Sequence, residues 1–292
     1  MEKIAKISLS DHLKNFLLLT KPGIIMGNTL TAAGGFALAS KRGFNPWLFL
    51  VMLEGLAFII ASACIYNNVI DQELDKKMER TQNRPLPKGL VSPSSALIFA
   101  TALGLMGALI LILYTNLLCL MVALTGLVVY VFIYSFSKYK TSQGTLIGSI
   151  AGAIPPIVGY TAVSHRIDLA ALILFLMIAL WQMPHFYAIA IFRLKDYAKG
   201  SVPVLPLKKG MLNTKVQMVF YCLAFLMAST LLTFFDYTGP LYFVVMSLVG
   251  FVWLVLSIQG LTCKNDQKWA RKMFFFSLAV VIVLCILIPF SG

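Results

Sequence analysis

Acidic residues are scarce in this chain: Asp and Glu number 11 of 292 positions, against 24 Lys and Arg, and all charged residues together make up 12%. So little charge cannot solvate the surface of a water-soluble fold of this length, and with 59% of residues hydrophobic the ordinary soluble classes are excluded. Cysteine is also sparse. Cys64, Cys119, Cys222, Cys263 and Cys285 lie far apart without paired spacing, so free thiols are expected and a cysteine-held metal cluster is not. The net charge of +13 comes with no nucleic-acid-binding motif, which removes nucleic acid as a partner. A small-residue cleavage site after an apolar core is lacking at the N-terminus, as is an Arg/Ser-rich transit segment, so residues 1–21 are expected to be retained.

Long apolar runs are what the chain has instead. Blocks of about twenty residues, enough to cross roughly 30 Å of hydrocarbon, predict an all-α, polytopic membrane protein. Nine spans are expected near 22–40, 47–70, 93–113, 117–136, 144–163, 169–192, 212–235, 239–261 and 270–290, forming one transmembrane domain over 1–292. All basic residues but Lys41, Arg42 and Arg166 fall on the side of the N-terminal segment and the even-numbered connections. By the positive-inside rule that side is cytoplasmic, and its charge attracts anionic lipid. Residues 1–21 combine Lys3, Lys6, Lys14 and Lys21 with Ile4, Ile7, Leu13, Phe16 and Leu17, the pattern of an amphipathic helix in the interface of the bilayer. Without a transit segment, the expected location is a bacterial cytoplasmic membrane.

The few acids are concentrated. Span two runs into Asn67-Asn68-Val69-Ile70-Asp71-Gln72-Glu73-Leu74-Asp75, and on a continuing helix Asn68, Asp71 and Asp75 share one face. Two carboxylates and an amide at a membrane surface suit Mg²⁺, which takes a few carboxylates plus substrate phosphate oxygens. Lys76, Lys77, Arg80, Arg84 and Lys88 surround them, and acids and bases together point to a metal-bound diphosphate. The Asn83-Arg84-Pro85-Leu86-Pro87-Lys88-Gly89 segment cannot be helical throughout, because each proline disfavours helix before it and lacks an N–H. It is expected to cap the acids, with Arg84 offering a planar fork and Lys88 a point charge.

Tyr134, Lys138 and Lys140, at the end of span four, can reach the same mouth. Span five holds Gly144, Gly148, Gly152, Gly159 and Pro155-Pro156; a helix so broken is expected to line the pocket and let substrate approach. The small residues of span one, Gly27 to Gly35, read as close helix packing. Span six carries a second polar cluster: Trp181-Gln182-Met183-Pro184-His185-Phe186-Tyr187, then Arg193-Leu194-Lys195-Asp196. His185, Ile189 and Arg193 follow at four-residue steps, so His185 and Asp196 are expected to open onto one cavity at different depths. Asp196 emerges on the side of Asp71 and is a candidate for metal or diphosphate binding.

These residues resemble the UbiA superfamily of intramembrane prenyltransferases, and within it the branch that farnesylates protohaem IX. Asn67-Asn68-x-x-Asp71-x-x-x-Asp75 is similar to the superfamily's first acidic motif. The haem branch is suggested by Glu79-Arg80-Thr81 with Asn83-Arg84-Pro85, Gly152-Ala153-x-Pro155-Pro156-x-x-Gly159-Tyr160, Trp181-Gln182-Met183-Pro184-His185-Phe186, Lys195-Asp196-Tyr197 and Pro203-Val204-Leu205-Pro206. One departure from the general pattern is Gly200, where the second motif often has another acid. The resemblance implies transfer of a farnesyl group from farnesyl diphosphate to a vinyl group of haem B, giving haem O.

It further implies Mg²⁺ held by Asp71, Asp75 and Asp196, with Asn68 assisting and Asn67 beside the substrate. Arg84, Lys88, Arg193 and Lys195 would stabilise the leaving diphosphate. Tyr134, Tyr160 and Tyr187 would offer cation–π faces, and His185 would orient the haem through its iron. A haem A synthase or terminal oxidase is the implied partner. Two rivals stand: prenyl transfer to another acceptor, such as the aromatic ring of a quinone precursor, and small-molecule transport, which also uses broken helices and intramembrane polar groups.

Overall fold

The computed structural model describes residues 8–41 and 43–290. Lys3, Ile4, Lys6, Ile7 and Arg42 therefore lie outside the described residues. A first helix, α1 (Leu9–Leu19), precedes nine long ones: α2 (Pro22–Ala39), α3 (Pro46–Ile70), α4 (Pro93–Tyr114), α5 (Leu117–Ser137), α6 (Gly144–Ser164), α7 (Leu169–Phe192), α8 (Met211–Phe234), α9 (Pro240–Gln259) and α10 (Asp266–Leu287). These match the nine expected spans. Eight are long and apolar enough to cross a membrane; α2, rich in Gly and Thr, falls short of that measure.

Local chemistry sets the boundaries. Proline occupies the first turn of α2, α3, α4 and α9, where its missing N–H costs nothing. Side-chain caps open several helices: Asn45 accepts from Leu48 N, Asn116 from Cys119 N, and Asp168 from Ala170 N and Ala171 N. The last helix begins earlier than expected, at Asp266, because Asn265 Oδ1 accepts from Lys268 N at 3.0 Å.

Each long helix packs on the next, and α10 returns to α2, so the nine close into a ring. The tightest cross-contact is α2 on α6. A Cβ at Gly35 would collide with the Pro156 carbonyl, and one at Gly159 with the Ala32 carbonyl. The glycines of span five thus serve helix packing more than substrate approach: Gly148 lies against Tyr134 and Gly152 against Gln182. The expected break in this helix is present at Ala153, between Gly152 and Ile154. Outside, large apolar side chains such as Leu105, Phe220, Leu248 and Phe275 are exposed, as a lipid-facing belt requires.

The main core fills the ring, with Phe36, Phe225, Tyr242 and Trp253 fully buried. A smaller core of Leu19, Ile65, Leu86, Val91, Ala96 and Ala100 joins α1, α3, the loop after α3 and α4. This second core positions the site, because it anchors the connection carrying Arg84. On α1, Phe16 packs edge-on against Phe99 at 5.1 Å, whereas Leu9, Leu13 and Leu17, one turn apart, are exposed. That stripe fits the interfacial helix expected of the N-terminal segment.

Candidate active site at two facing helix ends

The α3 helix stops at Ile70. Asp71 takes the C-cap, and a short helix resumes over Gln72–Asp75. Backbone bonds of the helical type continue across the join, from Asp71 N to Asn67 O (2.9 Å) and from Asp75 N to Asp71 O (2.8 Å), so the expected face survives. Asn67, Asn68, Asp71 and Asp75 are all buried. The following loop is an ordered cap, as the prolines predicted. Thr81, with no exposed surface, donates to Asp75 O at 3.0 Å, and Gln72 donates to Leu86 O at 3.3 Å.

Both buried acids at this first end are paired with a basic side chain distant in sequence. Arg84 Nη1 donates to Asp75 Oδ2 at 2.7 Å and reaches Asn68 Oδ1 at 3.4 Å. Lys138 pairs with Asp71 Oδ2, and Tyr139 donates to Asp71 Oδ1 at 2.5 Å. Asn67 donates to Ser135 Oγ at 2.9 Å and accepts from Lys21 Nζ at 2.8 Å. Asn68 donates to Leu19 O at 2.8 Å, tying the end of α1 to the site. Burial pushes the Lys138 ammonium below its ordinary value against the opposing pull of Asp71, and burial with the Asp71 bond pushes the Tyr139 phenol well up.

Residues of α5 reach the acids because α5 carries a π-helical stretch, Val129–Tyr134, just before its end. Such turns re-aim side chains and recur at functional sites. Here Tyr130 and Tyr134 stack at 5.4 Å, and Lys138 Nζ lies 5.3 Å from the Tyr134 ring centroid. Lys21, Tyr130, Ser135 and Tyr139 are site residues that the sequence reading did not single out. Only Lys21 had a signal, a basic residue immediately before Pro22.

The second end follows α7. Arg193 breaks the helix, and a short helix over Leu194–Lys199 carries Asp196. Asp196 is 8% exposed, yet its carboxylate accepts no side-chain hydrogen bond among the described residues. With Glu79, Arg80, Phe192, Arg193, Lys195 and Gln267 it lines a cavity of about 370 Å³. The two ends touch. A Cβ at Gly200 would stand 2.9 Å from Leu74 Cδ1 and 3.1 Å from Met78 Sδ, so a second acid here would have to displace the ends of those two side chains. Lys199 lies 3.7 Å from Glu79 across the same junction. Four non-glycine residues have positive φ among the described residues, and two are here: Lys21 (φ 54°) and Ser201 (φ 56°). Left-handed backbone costs about 1–2 kcal/mol per residue, and such outliers gather at functional sites.

Other expected site residues lie elsewhere. Lys88 is exposed and, among the described residues, forms no ion pair. Tyr160 donates to Asp168 Oδ2 at 2.9 Å, at the opposite end of the bundle, and Tyr187 donates to Gln217 Oε1 at 3.2 Å, toward α8. His185 faces α10. It stacks on Trp181 (4.9 Å) and meets Phe274 (5.0 Å), which in turn packs on Phe192 at the rim of the Asp196 cavity. Ser277 Oγ stands 2.6 Å from Phe274 O and 2.7 Å from His185 Nδ1. Its one proton serves either of the two, so the contact anchors the imidazole through Nδ1 in both tautomers.

Comparison with known proteins agrees with this architecture. Residues 28–279 match the model of the UbiA prenyltransferase family. A protoheme IX farnesyltransferase from Protochlamydia amoebophila is 53% identical over 94% of this chain and 98% of its own length. One from Yersinia pseudotuberculosis is 48% identical, covering 94% of each. Among solved structures, a digeranylgeranylglyceryl phosphate synthase superposes with TM-score 0.78 at 19% identity over 96% of this chain and 99% of its own. A UbiA homologue from Archaeoglobus fulgidus bound to GPP and Mg²⁺ gives 0.69 at 14% identity, covering 94% and 99%. The family match and the long, highly identical alignments place this chain in the UbiA prenyltransferase family.

Proposed function

We propose that this chain is a single transmembrane domain that transfers the farnesyl group of farnesyl diphosphate to a vinyl group of protohaem IX, giving haem O and diphosphate. The observation that carries the reading is the first helix end, where Asp71 and Asp75 share a face and each is held by a cation from another element. In a site so built Asp71 and Asp75 would hold a metal, and Lys138 and Arg84 would be placed to pair with the diphosphate. The high identity to relatives named for protohaem farnesylation supports the acceptor.

The donor set fits Mg²⁺. All candidate ligands are oxygens, and among the described residues the Asp196 carboxylate has no side-chain partner. Those residues assemble no compact group of three or more His, Cys, Asp or Glu, so an ion held here would need phosphate oxygens and water to complete its shell. Asp71 and Asp75 would hold it, with Asp196 on the facing end. When bound, the ion neutralises the leaving diphosphate. Arg84 and Lys138 at the first end, and Arg193 and Lys195 at the rim of the second, stabilise the charge as the C–O bond breaks. Tyr134 presents its ring face to the allylic cation. His185, anchored through Nδ1, offers its other ring nitrogen to the haem iron, and His185→Ala should abolish the saturable change in the haem spectrum on binding.

The basic residues clustered on the acid side of the bundle support a cytoplasmic active site in a bacterial membrane, with the product passing to a haem A synthase or terminal oxidase. Transport is disfavoured by location, because the acids sit at helix ends and not at mid-membrane. The test is turnover: membranes containing the protein, given haem B, farnesyl diphosphate and Mg²⁺, should form haem O by mass spectrometry and cease with EDTA. Binding of both substrates without product would overturn the reading.

A further inference from the structure

The joint between α1 and α2 is the least expected piece of backbone near the acids. Lys21 stands there with φ 54° and ψ 68°, as the residue before α2, and makes no side-chain cap. Left-handed backbone is ordinary for glycine and tolerable for asparagine, while lysine gains nothing from it locally. What the conformation does is turn the side chain inward, where Nζ donates to Asn67 Oδ1 at 2.8 Å. The joint is pinned from the other side as well, since Asn68 donates to Leu19 O.

The environment of this ammonium is unusual. Lys138 has Asp71 and Arg84 has Asp75, but among the described residues no carboxylate lies within 4 Å of Lys21 Nζ. Its one hydrogen-bond acceptor there is a neutral amide, and Arg84 and Lys138 add like charge against the more distant pull of Cys64 and Asp71. Burial outweighs that pull and pushes its pKa down to about 8. A cation withdrawn from water without a counter-ion in contact is costly, and here it is aimed into the place where the protein gathers other cations around two acids. The arrangement is completed by an anion with several oxygens.

We propose that Lys21 is a further diphosphate-binding residue, carried into the first helix end by the left-handed joint between α1 and α2. The inference rests on the reading of that end as a diphosphate site. It makes the N-terminal interfacial helix part of substrate binding: the strained joint holds a third cation beside Asn67, opposite Lys138 and Arg84, so the incoming diphosphate meets three donors from three separate elements.

Two variants separate the roles of this residue: Lys21→Gly keeps the positive φ without strain while removing the side chain, and Lys21→Met keeps an apolar stem while removing the ammonium. Calorimetric titration of the purified full-length protein with inorganic diphosphate and Mg²⁺ is the test. Lys21→Gly and Lys21→Met should each bind about 10- to 100-fold more weakly than wild type, Lys21→Arg should bind within a few-fold, and the KM for haem should stay unchanged. Wild-type affinity in Lys21→Gly would overturn the inference and leave the diphosphate site standing. A raised KM for haem with unaltered diphosphate affinity would overturn it too, by assigning the ammonium to the acceptor. Wild-type protein that does not bind diphosphate at all would remove the underlying site.

Discussion

The two helix ends that meet at the mouth of the bundle carry the same kind of residue in opposite states. At the first, Asp71 and Asp75 are engaged by Lys138, Tyr139 and Arg84, and the flanking asparagines are engaged as well. At the second, Asp196 is buried beside a cavity with no side-chain partner among the described residues. The difference teaches how a strongly charged site persists at a membrane surface. The first end is neutralised internally by Lys138 and Arg84, so its buried carboxylates carry no net uncompensated charge. The second keeps its carboxylate beside open space. Gly200 on Leu74 and Met78 fixes the separation between them.

Breaking the first end should have the largest effect. Asp71→Ala removes a carboxylate and strands Lys138 and Tyr139, and haem O formation should fall by at least about 100-fold in kcat. Arg84→Lys keeps the charge and loses the planar guanidinium, whose Nη1 bonds both Asp75 and Asn68, so a fall of about tenfold is expected; wild-type rates would show that a point charge suffices. Gly200→Asp restores the acid of the general superfamily pattern but drives it into Leu74 and Met78. It should destabilise the protein by about 1–3 kcal/mol, read as a lower midpoint of thermal unfolding in detergent. Tyr139→Phe deletes one of two hydrogen bonds to Asp71, leaves Lys138 in place, and should cost only a few-fold in kcat/KM.

Much of this was legible in the sequence for plain physical reasons. The nine helices follow from the apolar blocks, and the first acidic face from spacings of three and four, which the C-cap at Asp71 interrupts without destroying. The loop around Arg84 was readable because Pro85 and Pro87 forbid helix. What could not be read depends on tertiary register. The π-helical stretch Val129–Tyr134 has no local signature in its composition, yet it decides that Ser135, Lys138 and Tyr139 face Asn67 and Asp71. The inward turn of Lys21 needs an αL lysine that no propensity favours. Tyr160 and Tyr187 were misplaced because an aromatic side chain on a spanning helix carries no mark of which neighbour it faces; Asp168 and Gln217 claim them. The glycines of α6 similarly gave a broken helix but not its use, which is contact with α2 and α7.

The central claim is that the two ends act on one bound diphosphate, and a double-mutant cycle tests it most directly. Magnesium-dependent binding of inorganic diphosphate would be measured for wild type, Asp71→Asn, Asp196→Asn and the double variant. The account predicts that each single change weakens binding and that the double variant loses less than the product of the two, as expected of groups sharing one ligand. Losses that simply multiply, or an Asp196→Asn protein that binds like wild type, would contradict it.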